Sequence, residues 1–139
     1  MTHERTSNAP AIVVSTLLGL AGVLHFAKPE FFDAIVPSWM PGSARTTTYA
    51  SGVAELASAG LIANPSTRRV GGLVAMATFI GVFPANIWAA LQGGMKGMDP
   101  PFDSAAVAWG RLPLQFPMIW AAWRVYKNAQ HTSPEDSAS

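Results

Sequence analysis

Residues 70–91 form a run of 22 amino acids without Lys, Arg, Asp or Glu, and few folds can accept such a run. In a helix of this sequence, VGGLVAMATFIGVFPANIWAAL, apolar side chains occur all around the axis rather than in one stripe. A helix on the surface of a soluble protein does not have this pattern. About 20 apolar residues cross the hydrocarbon core of a bilayer, so the run predicts a transmembrane helix.

Three further stretches have lengths suited to crossing a bilayer. Residues 9–27 contain no charged side chain, whereas residues 46–63 include Glu55 and residues 104–123 include Arg111. Only 12% of the chain is charged, against ~25% in an average soluble domain. At 139 residues the chain has the size of one domain. We therefore predict an all-α fold, a single membrane domain built as a four-helix transmembrane bundle with helices at about residues 9–27, 46–63, 70–91 and 104–123.

The connections and their charges predict an orientation. Residues 64–69 form a short middle loop, and the two outer loops are longer. Under the positive-inside rule, Lys and Arg near helix ends favour the cytoplasmic side. Five of these residues belong to the side of the termini and middle loop, against three on the other: Arg5, Arg68, Arg69, Arg124 and Lys127 against Lys28, Arg45 and Lys96. Both termini are therefore predicted to be cytoplasmic, with a disordered polar tail over residues 128–139.

Composition excludes several classes of function. The chain has no Cys, which removes disulfides, thiolate nucleophiles, iron–sulfur clusters and cysteine–zinc sites. The net charge of +1 gives no electrostatic basis for binding nucleic acid. His3 and His131 lie outside the predicted helices and cannot join His25 in a metal or haem site. No metal site, cofactor or catalytic residue is assigned.

Five polar side chains interrupt the predicted helices: His25, Glu55, Asn86, Arg111 and Gln115. At 1.5 Å per residue, His25 and Asn86 fall near the outer ends of their helices, with Glu55 ~13 Å and Arg111 ~10 Å inward from the same side. Gln115 lies one turn deeper. An ionisable group within a membrane costs ~2.5–3.5 kcal/mol, so this convergence predicts a buried polar site that binds a ligand.

The same residues also fit a structural role. Glu55 and Arg111 are predicted to pair, because each offsets part of the desolvation cost of the other. This pair could act only as a clamp between helices, with Asn86 and Gln115 bonding carbonyls freed by prolines. A packing or interfacial role fits His25 better than a role as a ligand, because neither His3 nor His131 lies in a predicted helix.

Small residues predict one close contact between helices. In residues 70–91 and just beyond, they recur at four-residue spacing: Ala77, Gly81, Ala85, Ala89 and Gly93. Such a ridge lets two helix backbones approach closely in lipid.

Three segments carry a family resemblance: HFAKPEFF after the first helix, SGVAE around Glu55, and FPAN around Asn86. Over residues 15–125 the chain resembles the DoxX-like membrane proteins of bacteria. The resemblance implies a four-helix, multi-pass protein of the bacterial plasma membrane, associated with quinone-dependent redox systems. It implies no catalytic residue, and a chain without Cys or paired His is assigned no redox centre of its own.

Three hypotheses for function remain. In the first, the protein is an accessory subunit of a membrane redox complex whose polar cluster binds a quinone-like amphiphile, with no intrinsic catalysis. Its partners would be the lipid bilayer and either that complex or a second copy of the chain. In the second, Glu55 couples proton movement to transport. In the third, His25 and Glu55 transfer protons in isomerase-type chemistry.

Overall fold

The computed structural model describes residues 8–95, 98, 100–101 and 103–130, and within these residues the chain is all-helical, without strands. The elements are α1 (Ala9–Ala27), α2 (Pro29–Asp33), α3 (Ala44–Ala63), α4 (Arg68–Leu91), α5 (Ala105–Arg111), a 3-10 turn (Leu112–Leu114) and α6 (Gln115–Gln130). The predicted all-α class is confirmed. His3, Arg5, Lys96 and His131, which entered the arguments on charge and metal binding, lie outside the described residues.

The predicted helix bounds agree with α1, α3 and α4 to within two residues at each end. The prediction of one continuous helix over residues 104–123 is wrong, because the 3-10 turn separates α5 from α6. Pro113 lies in this turn, and a proline has no N–H to continue the helical hydrogen-bond ladder. Helix α6 continues to Gln130, so residues 128–130 of the predicted disordered tail are helical. Residues 131–139 lie outside the described part.

The four longer helices contact one another in a closed order. Helix α1 packs on α3, α3 on α4, α4 on α6, and α6 on α1. Their shared core is apolar and includes the fully buried Val14, Leu18, Ile62, Ala75 and Val125. Thr67 and Arg68 donate hydrogen bonds to the carbonyls of Leu61 and Ile62, which ties the short middle loop to the end of α3. The loop therefore holds α3 and α4 as neighbours.

Close approaches between helices occur at glycines other than the predicted ridge. A Cβ built on Gly71 would lie 2.7 Å from the backbone nitrogen of Ile62, and one on Gly72 would lie 2.8 Å from that of Tyr126. Ala77 and Gly81 are exposed, and a Cβ on Gly81 would meet nothing within 4 Å. Among the described residues, this part of the ridge therefore contacts no other helix of the chain, and a contact with a second copy or another protein stays a prediction.

Helix α2 folds part of the first outer loop back against α1 and α3. The Phe32 ring stacks on the His25 ring with 3.5 Å between centroids and 17° between planes. Asp33 accepts hydrogen bonds from Arg45 Nε at 2.9 Å and from Thr48 Oγ1. These contacts fasten α2 to the ends of two long helices.

Gly52→Ala is expected to destabilise the fold. The added Cβ would lie 2.8 Å from His25 Cβ and 2.8 Å from Phe26 Cε2, so α1 and α3 would have to separate. Overpacking of this kind lowers the free energy of unfolding by ~1–3 kcal/mol. The measurement is denaturant unfolding of the purified protein in detergent, followed by circular dichroism.

Gly60→Ala is the matched control on the same helix. A Cβ there would meet nothing within 4 Å, so helix propensity alone predicts unchanged or higher stability, by up to ~1 kcal/mol. Equal stability of the two variants would contradict the close approach of α1 and α3.

Candidate ligand-binding site

A cavity of about 200 Å³ lies among α1, α3, α4, α5 and α6, with α2 at one side, and it is partly open. All five polar residues predicted to share one depth line it: His25, Glu55, Asn86, Arg111 and Gln115. The remaining walls are apolar or aromatic and come from Ala21, Phe32, Ile35, Phe79, Val82, Leu114 and Met118. The structure thus brings residues from distant parts of the chain to one place. Their ligand-binding role stays a prediction.

Helical periodicity explains why two of these side chains face inward. The buried face of α3 repeats every three or four residues, through Thr48, Gly52, Glu55, Ser58 and Ile62. Glu55 is therefore carried inward by the same spacing that buries its neighbours. His25 ends the buried face of α1 in the same way, one turn after Gly22.

The His25 and Glu55 side chains meet where α1 crosses α3. Nδ1 of His25 lies 2.7 Å from the Ala21 carbonyl oxygen and 3.1 Å from Oε2 of Glu55. A ring nitrogen between two oxygens is favourable only when it carries the hydrogen, and the shorter contact makes the Ala21 oxygen its acceptor. Oε2 of Glu55 is therefore adjacent to the imidazole without a well-aligned hydrogen bond of its own.

The predicted ion pair between Glu55 and Arg111 is wrong. Nη1 of Arg111 donates instead to Sδ of Met95 at 3.1 Å, and the guanidinium lies 5.9 Å from the centre of the Phe31 ring. Arg111 is the last residue of α5, immediately before the 3-10 turn, so the straight helix assumed by the prediction does not exist there. A thioether sulfur is a weak acceptor, which leaves the guanidinium with unused donor capacity toward the cavity.

Two buried acceptor atoms of the lining receive no hydrogen bond from the described residues. Oε2 of Glu55 and Oε1 of Gln115 are inaccessible and accept no hydrogen bond. The alternative in which Gln115 and Asn86 bond carbonyls freed by prolines is not found in this part of the chain. A buried polar group without a partner costs ~1–3 kcal/mol, so either side chain would gain from a rotation that turns this atom toward a hydrogen-bond donor in the cavity.

The lining contains hydrogen-bonding groups rather than a metal-ligand set. Among the described residues, no cluster of three or more His, Asp or Glu side chains could hold a metal ion. The amides of Asn86 and Gln115 can both donate and accept, Arg111 can only donate, and an ionised Glu55 can only accept. The cavity can therefore bind a small polar group from several sides.

Sequence reasoning missed Phe32 and Met95 as parts of the site. Phe32 stacks on His25 and lines the cavity, and Met95 holds the Arg111 side chain. Both lie in connections between the long helices, where no helical period places them at a given depth. For Phe32, the HFAKPEFF segment carried a signal, because it brings an aromatic pair close after His25.

Comparison with known proteins identifies a family but no activity. The model of a family described as a domain of unknown function (DUF8561) matches residues 14–126. This range includes all five polar residues of the cavity. No curated protein and no solved structure matches the chain. Function therefore has to be argued from the cavity and the surface.

Proposed function

Because the chain belongs to the DUF8561 family, whose description gives no function, we propose one from the cavity. The protein is a small multi-pass membrane protein that binds the polar head of a quinone-like or other amphiphilic molecule. The observation that carries this proposal is the meeting of five polar side chains around one cavity of about 200 Å³ with apolar walls. A role as an accessory subunit of a bacterial membrane redox system rests on the resemblance to DoxX-like proteins.

The surfaces of two helices support a membrane location. Helices α1 and α4 are long and apolar enough to cross a bilayer, with mean hydropathies of 1.9 and 1.7. In the most apolar 18-residue stretch of each helix, only 28% is buried, whereas the core helix of a soluble protein is mostly buried. On α1 the large exposed apolar side chains are Ile12, Val13, Leu17, Leu20, Val23, Leu24 and Phe26. So extensive an apolar surface favours contact with lipid.

Helices α3 and α6 complete the proposed four-helix transmembrane bundle. Each places polar cavity residues inward and large apolar residues outward, such as Val53 on α3 and Phe116 on α6. Near the end of α6, Arg124 lies over the Trp120 ring and Lys127 over the Trp123 ring. Aromatic and basic residues together are typical of a membrane interface, which supports a cytoplasmic end for α6.

The lining suits the head of an amphiphile. Arg111, Asn86 and Gln115 offer N–H donors to an oxygen on a ring, and Phe79 and Leu114 offer apolar walls to the ring itself. Ligand sites commonly combine mostly apolar walls with a few polar groups that set orientation. The partly open side of the cavity would let an apolar tail extend toward lipid.

Arg111→Met is expected to abolish ligand binding while keeping the fold. Losing a hydrogen bond from a charged group costs ~1.5–3 kcal/mol, which lowers affinity ~10–100-fold. Native mass spectrometry of protein gently extracted from its own membrane should show a stoichiometric amphiphile on the wild type and none on the variant. Ser58→Ala is the control, because Ser58 is buried, bonds the Ala54 carbonyl and does not line the cavity. Wild-type protein without an amphiphile, or one retained by Arg111→Met, would contradict the proposal.

Single cysteines would test the membrane topology in a chain that has none. Ser38 and Ser66 are exposed residues in the first outer loop and the middle loop. If the positive-inside orientation is correct, a membrane-impermeant thiol reagent labels Ser38→Cys in intact cells and Ser66→Cys only after permeabilisation. Labelling of both in intact cells would exclude a bilayer between these two loops.

One observation favours a second function, proton-coupled transport. Among the described residues, Glu55 has no Arg or Lys partner and lies beside His25. A carboxylic acid of this kind can exchange protons as a substrate passes. Substrate-driven proton flux into proteoliposomes, lost in Glu55→Gln and kept in Ser58→Ala, is the expected result. Equal flux in wild type and Glu55→Gln would rule out this role.

A further inference from the structure

The hydrogen-bonding groups of the cavity define its ligand more narrowly than an amphiphile. We infer that the bound head group is an uncharged hydroxyl on a small ring, a phenol or a cyclic alcohol, which donates its hydrogen to Glu55 or Gln115. This inference rests on the proposed function and specifies its substrate class. Among quinone-like molecules, the cavity would therefore bind the reduced form, the quinol, in preference to the quinone, because the quinol ring carries hydroxyl groups in place of carbonyl oxygens.

The unpartnered atoms of the lining are acceptors. The side chains of Glu55 and Gln115 line the cavity, and Oε2 of Glu55 and Oε1 of Gln115 receive no hydrogen bond from the described residues. Both atoms are buried, so a ligand's donor reaches them after a rotation of the side chain toward the cavity. A ketone, ether or quinone has only acceptor oxygens and would leave both atoms without a donor. A hydroxyl group supplies a donor, and its oxygen can accept from Arg111 at the same time. A hydroxyl can therefore donate to an acceptor of the lining and accept from a donor of the lining.

The charges of the lining favour a neutral ligand. Arg111 disfavours an ammonium head in the same small cavity, and Glu55 disfavours a carboxylate or phosphate head. His25 is the remaining titratable side chain of the lining, and its Nδ1 hydrogen is directed to the Ala21 carbonyl. A charged head would also lose its hydration on entering a largely apolar enclosure. An uncharged hydroxyl avoids both costs.

The size and walls of the cavity favour a ring. About 200 Å³ corresponds to roughly six or seven water molecules at ~30 Å³ each, which is room for one ring with short substituents. Phe32 and Phe79 both contribute aromatic surface to the lining. Aromatic rings pack favourably on one another in offset or edge-to-face arrangements, so a phenol fits these walls well.

The test compares para-propylphenol with its methyl ether, para-propylanisole, which keeps the ring and oxygen but cannot donate. Affinities are measured by isothermal titration calorimetry on the full chain in detergent, with protein-free micelles as the blank. The wild type is expected to bind the phenol ~10–100-fold more tightly, the usual effect of a hydrogen bond to a charged group. Glu55→Met should reduce this ratio strongly, whereas Ser58→Ala should keep it.

The outcomes separate this inference from the proposed function. Equal affinities of the wild type for the phenol and the ether would overturn the hydroxyl inference and leave a ring-binding cavity. Tighter binding of para-propylbenzoate than of the phenol would overturn the assignment of a neutral head. Absence of binding by all three compounds would overturn both the inference and the proposed function. Because the phenol and the ether are compared on the wild type, the result does not depend on Glu55→Met folding.

Discussion

The crossing of α1 and α3 determines most of what the cavity can do. Gly22 and Gly52 face each other across it: a Cβ on Gly22 would lie 3.2 Å from the Gly52 carbonyl oxygen, and a Cβ on Gly52 would lie 2.8 Å from His25 Cβ. Only a pair of glycines allows the two backbones to come this close. The approach puts the imidazole of His25 beside the Glu55 carboxylate and leaves the cavity on the far side of that pair. The SGVAE segment therefore has two roles: Gly52 packs α3 closely against α1, and Glu55 lines the cavity.

The polar groups of the cavity are held in a way that keeps them available. Arg111 bonds a thioether, His25 uses Nδ1 on a carbonyl of its own helix, and one oxygen of Glu55 remains without a donor. Stability alone does not account for this arrangement, because a buried charge without an oppositely charged partner is costly. Arg111 and Glu55 are instead held by different neighbours. This arrangement is typical of a binding site, in which polar side chains are oriented toward a ligand.

The meeting of five polar residues from distant parts of the chain could be predicted from the sequence, because the rise per residue of a helix is constant. This prediction needed only the residues at which α1, α3 and α4 begin and the approximate residue at which the helix predicted over residues 104–123 begins. The partner of Arg111 could not be predicted in this way, because it depends on the rotation of the side chain about its helix axis and on the break at Pro113. For a related reason, the spacing of the ridge through Gly81 defines a face of α4 but not whether a helix of the same chain covers it. Phe32 and Met95 were missed because neither lies in a long helix.

The break between α5 and α6 has a consequence for how the site responds to its ligand. Helix α5 is short and contacts α4, whereas α6 is packed on both α1 and α4. The 3-10 turn thus separates a short element that carries Arg111 from a more extensively packed one that carries Gln115. A change of backbone angles at this turn would move Arg111 relative to Gln115 without repacking the apolar core. The width of the cavity between these two side chains therefore depends on the turn, whereas the His25 and Glu55 pair is held by the packing of α1 on α3.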